Sequence, residues 1–287
     1  MLSTKLKSQD KLPLTCTRTG TYCHGNRVFL NPWELACLAI EKQLTSSDFR
    51  KRYTDCGGIV LRFDGVEDKR GKPACSQYIE NVGCSVHIGR PLACRLYPLG
   101  RQVQEGTAAY IFQGASFPCL DGCAEVLDLP QLSVGEYLKG QQTDLFEKAQ
   151  DAYLEVMQNL AENAFTLLLD TGLAASGETE TLAKWRKLGK EEAMKLAEQI
   201  GIEWIDALML PAIDIAEDSF IFAELHNEQL QQKTQDKFGS LKTNQEFHEA
   251  SIIMMGLALY LARALGADAA NLSEHWIEEA KSHGACE

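Results

Sequence analysis

Long apolar runs are missing from this sequence, since no stretch reaches the roughly 18 to 20 apolar residues that a helix needs to cross a bilayer. The nearest candidate, residues 250–262, is bounded by Glu249 and Arg263 and contains Gly256, which is typical of a buried helix. Residues 1–10 also lack the apolar run and cleavage site of a secretory signal. We therefore expect a soluble, cytoplasmic protein without a membrane partner.

Familiar catalytic motifs are also missing. The sequence contains no phosphate-binding loop, no convincing G-x-G-x-x-G, no H-E-x-x-H and no G-x-S-x-G. Cys119 and Cys123 supply a C-x3-C pair but not the C-x3-C-x2-C arrangement of radical enzymes. No local motif therefore identifies a reaction, and whether the protein is an enzyme stays open.

The C-terminal half is almost without cysteine. Nine of the ten cysteines precede residue 124, and Cys286 is the exception. Disulfides belong mainly to small secreted domains, whereas grouped cysteines in a reducing cytosol are more often metal ligands or redox groups. The distribution therefore predicts a thiolate metal site, with a disulfide framework or unliganded buried thiols as the alternatives.

The ligand spacing indicates the kind of metal. Cys75, Cys84 and Cys94 are separated as C-x8-C and C-x9-C, unlike the short C-x2-C spacing of zinc ribbons. This favours an iron–sulfur cluster, [4Fe-4S] above all, and keeps zinc or mononuclear iron as alternatives. Arg90 and Arg95 bracket Cys94, where cationic side chains would lower the pKa of a metal-binding thiol.

Two short runs resemble a known family. GCSVH at residues 83–87 and RPLACRLYP at residues 90–98 look like the signature of the YkgJ-like cysteine-cluster proteins, also called CxxCxxCC proteins and described as zinc- or iron-chelating. Residues 16–25 are similar to that family's opening segment, so the resemblance covers residues 14 to about 123. The family usually has two adjacent cysteines where this chain has Tyr22 and Cys23.

Thiol grouping and resemblance together define the candidate ligands. The resemblance covers Cys16, Cys75, Cys84 and Cys94 in particular. The full predicted metal-ligand set is Cys16, Cys23, Cys75, Cys84, Cys94, Cys119 and Cys123. Cys37 falls on the apolar stripe of a predicted helix, Cys56 precedes a strand and Cys286 lies near the terminus, so we expect these three to be dispensable for metal.

Charge divides the chain in the same place. Residues 1–101 carry 16 Lys and Arg against 9 Asp and Glu, whereas residues 102–287 carry 12 against 31. A basic shell would stabilise a cluster ligated by four thiolates, which has net negative charge. A nucleic-acid partner is disfavoured, because the basic runs 50–52 and 69–70 are short and interleaved with acidic residues.

Hydrophobic patterning predicts an α+β protein. An irregular cysteine-rich metal-binding domain with short strands, residues 1–125, precedes an all-helical acidic domain, residues 126–287. Strands are expected at 27–30, 58–63 and 108–112. Asn31, Pro32 and Glu34 predict a capped helix start. Later helices are expected at 133–169 with a break near Gly140, and at 180–200, 203–232 with an interruption at Pro211, 244–265 and 273–283.

Three functions fit these observations. The first is a metal-cluster protein with a redox, metal-handling or structural role, whose acidic helical half docks a protein partner. The second is an iron–sulfur-dependent protein lysine methyltransferase, because the resemblance extends to flagellin lysine methylases. The third is a zinc-stabilised interaction module without catalysis. The first is the function that we predict.

Overall fold

The computed structural model describes residues 4–12, 20–104, 106–112, 130–214 and 218–287. Short strands and short helices make up the N-terminal half and helices the C-terminal half, so the α+β prediction is confirmed at this level. The strands are β1 (Thr4–Leu6), β2 (Thr54–Asp55), β3 (Val60–Leu61), β4 (Phe63–Glu67), β5 (Pro73–Cys75), β6 (Tyr78–Ile79), β7 (Gly83–Cys84), β8 (Leu99–Gln104) and β9 (Thr107–Phe112).

Pairing among these strands is antiparallel throughout. One sheet has the order β1-β9-β8, and the pairs β2-β3, β4-β5 and β6-β7 form separate two-stranded ladders. The strand expected at residues 27–30 is reduced to a single bridge between Phe29 and Val60. The chain cannot extend further there, because Asn31 caps a helix directly afterwards.

The helices are α1 (Pro32–Glu41), α2 (Ser46–Tyr53), α3 (Leu92–Leu96), α4 (Val134–Gln141), α5 (Asp144–Leu169), α6 (Glu180–Lys190), α7 (Ala193–Ile200), α8 (Ile202–Met209), α9 (Ser219–Phe238), α10 (Asn244–Ala264) and α11 (Ala269–Ser282). The predicted start of α1 is confirmed: Asn31 accepts from the Glu34 N–H, and the Glu34 carboxylate accepts from the Asn31 N–H.

The prediction of one continuous helix at 180–200 is wrong, whereas two predicted breaks are confirmed. The break expected near Gly140 is confirmed, because Gln142, whose φ is 54°, ends α4 two residues after Gly140. The single helix expected at 180–200 is two helices, because Glu191 and Glu192 are extended. Helix propensity alone does not predict the turn at Glu191 and Glu192, which depends on tertiary packing. The interruption at Pro211 is confirmed, since α8 ends at Met209.

One hydrophobic core runs through both halves of the chain. The long helices α5 and α10 pack along each other at its centre. Polar contacts also cross between the halves, among them the Tyr260 hydroxyl, which donates to the Cys56 carbonyl, and Arg50 Nη2, which lies 2.6 Å from Asp206 Oδ1. The domain boundary predicted at residues 125/126 lies outside the described residues and stays a prediction.

Within the described ranges, no helix combines the length and the apolarity needed to span a membrane. The apolar run at residues 250–262 belongs to α10, where every side chain from Met254 to Ala262 is buried in the core. The interpretation of that run as a buried helix is therefore confirmed.

A turn at residues 56–58 forms the contact point between the halves. Cys56, Gly57 and Gly58 have φ angles of 54°, 74° and 117°, so three consecutive residues adopt left-handed backbone. A Cβ atom at Gly57 would collide with the hydroxyl of Tyr260. Glycine is therefore required at this position by both backbone conformation and space.

We predict that Gly57→Ala lowers the free energy of unfolding by about 2 to 4 kcal/mol, because it combines a strained φ with an overpacked contact. Gly140→Ala is the matched control, since Gly140 lies in α4 with no atom near its absent Cβ. That substitution should raise stability by about 0.5 to 1 kcal/mol. Urea denaturation measures both, and equal stability of the two variants would contradict this account.

A buried histidine links three helices of the C-terminal half. His226 on α9 is fully buried, its Nδ1 lies 2.9 Å from the Tyr153 hydroxyl of α5 and its Nε2 3.0 Å from the Ala207 carbonyl of α8. A carbonyl only accepts, so Nε2 carries the proton and Nδ1 accepts from Tyr153. Burial lowers the pKa of His226 to about 4.

This histidine should make stability depend on pH. The unfolded chain binds a proton at His226 below its ordinary pKa of about 6.5, whereas the folded chain resists protonation until about pH 4. The stabilising contribution is therefore complete above pH 6.5 and is lost as the pH falls towards 4. Urea denaturation measures the free energy of unfolding between pH 7 and 4.5. As the pH falls, this free energy should decline less for His226→Gln than for the unmodified protein. The exposed His283, changed to Gln, should leave the decline unaltered.

Candidate metal centre

Four separate chain segments carry the described members of the predicted ligand set. Cys23 ends a 3-10 turn, Thr21–Cys23, and Cys75 is the last residue of β5, opposite Phe63 of β4. Cys84 lies in the β6-β7 hairpin opposite Tyr78, and Cys94 lies within α3. Each cysteine is thus held by its own local hydrogen-bonded element.

These four cysteines line one cavity of about 320 Å³. Cys16, Cys119 and Cys123, the other members of the predicted set, lie outside the described residues. Cys37 and Cys56 pack against the hydrophobic core, and Cys286 is exposed. The structure therefore brings together every candidate ligand that it describes.

The hairpin that carries Cys84 depends on two residues with positive φ. The turn between β6 and β7 includes Asn81 at 62° and Gly83 at 100°. Behind the hairpin, the Ser85 N–H donates to the Gln77 carbonyl at 2.8 Å, and Lys42 Nζ donates to the Ser85 hydroxyl at 2.8 Å. These contacts tie the hairpin to α1, where Lys42 is the C-terminal cap.

A negative charge on one thiol of the cavity would raise the pKa of its neighbours. Burial raises the pKa of Cys94 well above its ordinary value, and charge on Cys75, Cys84 and Cys23 would raise it further. Burial raises the pKa of Cys75 to about 11, and Cys84 adds to the shift. Without a metal, burial therefore favours the protonated form of Cys75, Cys84 and Cys94, whose ionisation requires a compensating positive charge.

Arg90 brings positive charge to this cavity. Its side chain lines the cavity and is 8 % exposed, and it lowers the pKa of Cys84 against the larger effect of burial. Arg90 Nη2 donates to Gln141 Oε1 at 2.8 Å, and Nη1 lies 3.2 Å from His87 Nδ1. The interpretation of Arg90 as a cation beside the thiols agrees with this placement.

Arg95 has a structural role, whereas its position next to Cys94 in the sequence suggests a cation that lowers the pKa of that thiol. It is 2 % exposed and donates to the carbonyls of Ile88, Arg90 and Gln141, while its guanidinium stacks 3.8 Å from the Phe146 ring centroid. Burial lowers its pKa to about 10. Arg95 therefore joins the loop before Cys94 to α4 and α5 rather than lining the cysteine cavity.

A pair of stacked tyrosines closes one side of the cavity. The ring centroids of Tyr22 and Tyr97 are 3.8 Å apart, and both residues line the cavity. The Tyr137 hydroxyl of α4 donates to the Tyr97 carbonyl. Tyr22, which stands where the resembling family has a cysteine, thus forms part of the wall.

Sequence reasoning missed several residues of this cavity. Tyr97 and His87 lie in the runs that carry the family resemblance, so their positions could have been noted. Tyr137 and Gln141 also line the cavity but come from α4, beyond the cysteine-rich part of the sequence. No sequence motif marks these two residues, because only tertiary packing brings α4 to the cysteine loops.

Among the described residues, no three His, Cys, Asp or Glu side chains are grouped closely enough to hold one metal ion. A single tetrahedral zinc ion requires sulfur ligands that converge to about 2.3 Å from one point. Ligands of an iron–sulfur cluster instead surround a volume occupied by iron and sulfide. The four described cysteines line the wall of the 320 Å³ cavity without forming such a single-ion group.

Comparison with protein-family models, with curated proteins and with solved structures finds no match to the chain.

The contacts of Arg95 lead to a prediction for the metal-free protein. Arg95→Ala leaves three carbonyls without their donor, so the free energy of unfolding should fall by about 3 kcal/mol or more. Arg70→Ala is the control, because Arg70 pairs with Asp68 at an exposed position and should change stability by less than about 1 kcal/mol. Urea denaturation measures both, and an Arg95→Ala protein of unchanged stability would refute the structural role of this side chain.

Proposed function

We propose that this protein binds an iron–sulfur cluster in the cavity lined by Cys23, Cys75, Cys84 and Cys94. The observation that supports the proposal is the convergence of four cysteines from four separate segments on one cavity. Cysteines that served only as small core residues would have no reason to share one cavity. Cys37 packs against the same core as Cys75, Cys84 and Cys94 but does not line the cavity, which illustrates that other role.

The chemistry of the cavity supports a cluster. Iron–sulfur clusters are held by cysteine thiolates, and [4Fe-4S] clusters take four of them. Burial opposes ionisation of these thiols in the metal-free state, so iron would supply the positive charge that stabilises the thiolates. Arg90 adds a cation beside the site, which suits a cluster of net negative charge.

Not every predicted ligand is needed for this proposal. Four described cysteines are enough for a [4Fe-4S] cluster, and Cys16, Cys119 and Cys123 remain predicted ligands that would serve a second cluster or a ligand exchange. A single zinc or iron ion is the alternative cofactor. Iron without sulfide, or zinc alone, would favour that alternative.

The cluster would have a structural role as well as any redox role. The ligands are carried by two-stranded ladders of two or three residues and by a five-residue helix, and such short elements have little stability of their own. A cluster that joins four of these segments would stabilise all of them together. A metal-handling or electron-transfer role would use the same site.

The test is anaerobic purification of the full chain, with iron, zinc and acid-labile sulfide analysis and an absorption spectrum. We expect a brown protein with iron and sulfide in equal amounts. Cys84→Ser and Cys94→Ser should each lower iron content and the melting temperature together, because each removes a ligand that closes a long loop. The spectrum of each variant should lose its sulfur-to-iron absorption.

Cys37 and Cys286 provide the controls. Cys37→Ala and Cys286→Ser should keep full iron and sulfide content, although Cys37→Ala should lose some stability because Cys37 packs against the core. Full metal content in both Cys84→Ser and Cys94→Ser would contradict the proposed site. Loss of metal in Cys286→Ser, with the fold intact, would show that the ligand set is wrong.

A further inference from the structure

A second cavity, of about 480 Å³, lies on the other side of the stacked tyrosines. Tyr22 and Tyr97 line both cavities, so the pair is a shared wall. The second cavity is enclosed by the N-terminal half on one side and by residues of α5 and the end of α10 on the other. It therefore lies between the two halves of the chain, where ligand sites are common.

Just over half of this cavity's wall is apolar. Phe29, Leu96, Leu99, Phe112 and Leu265 are among the lining residues. The volume falls within the range of about 300 to 1,000 Å³ that is typical of small-molecule sites. An apolar wall of this size suits a ligand with an aromatic or branched aliphatic body.

Two polar side chains on the wall have donors that no described residue accepts from. The side chain of Arg101 is 5 % exposed; its Nη1 and Nη2 each lie 2.7 Å from an oxygen of Asp151, but its buried Nε–H meets no acceptor in the described part of the chain. Asn31 is 2 % exposed and uses its Oδ1 to cap α1, which leaves its Nδ2 donor unused by the described residues.

Two acceptor side chains on the wall are already engaged. Glu34 accepts from the backbone N–H of Leu92 at 2.7 Å and from that of Asn31 at 3.1 Å, and Gln150 Oε1 accepts from Arg101 at 3.3 Å. Among Glu34, Gln150, Arg101 and Asn31, the unused hydrogen-bonding capacity is therefore on the donor side. A ligand that satisfies it must present acceptor oxygens.

We infer that this cavity binds a small organic acid, whose carboxylate accepts from Arg101 Nε and Asn31 Nδ2 while its apolar body fills the remaining space. Arg101 suits this ligand because a guanidinium already oriented by one carboxylate presents a second edge at a fixed position. The ligand would lie across the tyrosine wall from the cysteine cavity. The inference does not depend on which metal that cavity holds.

A matched pair of fluorescent probes tests the inference on the full chain as purified. The first, 8-anilinonaphthalene-1-sulfonate, has an apolar body with one anionic group. The second, N-phenyl-1-naphthylamine, is the same body without the anion. Fluorescence titration should show saturable binding of both probes at one site. Arg101→Met should weaken binding of the anion about tenfold or more and that of the neutral probe less than about threefold.

Two further variants separate the site from the rest of the surface. Ala264→Phe places a ring in the cavity and should weaken the binding of both probes about tenfold or more. Arg186→Met is the matched control, because Arg186 also pairs with a carboxylate, Glu274, but does not line the cavity. It should leave both affinities unchanged. If Arg101→Met does not fold, Arg101→Lys retains the charge without Nε and should give the same contrast.

Three results would overturn the inference. The first is absence of saturable binding of the anionic probe to the unmodified protein. The second is binding that Ala264→Phe leaves unchanged, which would place the probes elsewhere. The third is an equal loss of affinity for both probes in a folded Arg101→Met protein, which would show that the arginine does not select an anion.

Discussion

The cysteine-rich half depends on support from outside its own secondary structure. Its ladders β2-β3, β4-β5 and β6-β7 each contain very few paired residues, and isolated ladders of this kind are marginal in water. Two arginines provide much of the missing support. Arg90 and Arg95 hold the loop before Cys94 through bonds to its own carbonyls and to Gln141 of α4. The loop geometry of the candidate metal centre therefore follows from contacts with the helical half.

This dependence also explains the position of the stacked tyrosines. Tyr97 follows directly after α3, and the Tyr137 hydroxyl of α4 bonds to its carbonyl. Tyr22 is held against Tyr97 at a ring distance of 3.8 Å. One wall therefore separates a cavity of thiols from a cavity of apolar side chains and donors, and both lie where the two halves of the chain meet.

Desolvation is the physical effect common to the buried ionisable groups. It raises the pKa of Cys75 to about 11 and of Glu34 to about 7, and it lowers the pKa of His226 to about 4. His226 avoids the energetic cost of a buried charge because it stays neutral, with hydrogen bonds to a hydroxyl and a carbonyl. Burial likewise raises the pKa of Cys75, Cys84 and Cys94, and backbone hydrogen bonds to Cys75 and Cys84 offset only part of that rise. Desolvation thus favours the neutral form of these groups in both halves of the chain.

The sequence by itself determined those features whose causes are local. The capped start of α1, the helical character beyond residue 133, the buried run in α10 and the end of a helix before Pro211 follow from side-chain pattern and backbone restriction. The grouping of Cys75, Cys84 and Cys94 could also be predicted, because all three lie within one short stretch of the chain. Charge and spacing also predict a cluster at these cysteines, which stays a prediction.

Tertiary structure decided what depends on residues distant in sequence. The use of Arg95 to hold a loop and the arrival of Tyr137 and Gln141 at the cysteine cavity arise from packing between the halves. The cavity beyond the tyrosines exists only because α5 and α10 meet the N-terminal half at Gln150 and Leu265. Periodicity and motif spacing reflect neighbours along the chain. The features above depend instead on which surfaces pack against each other, and that is decided only when the whole core forms.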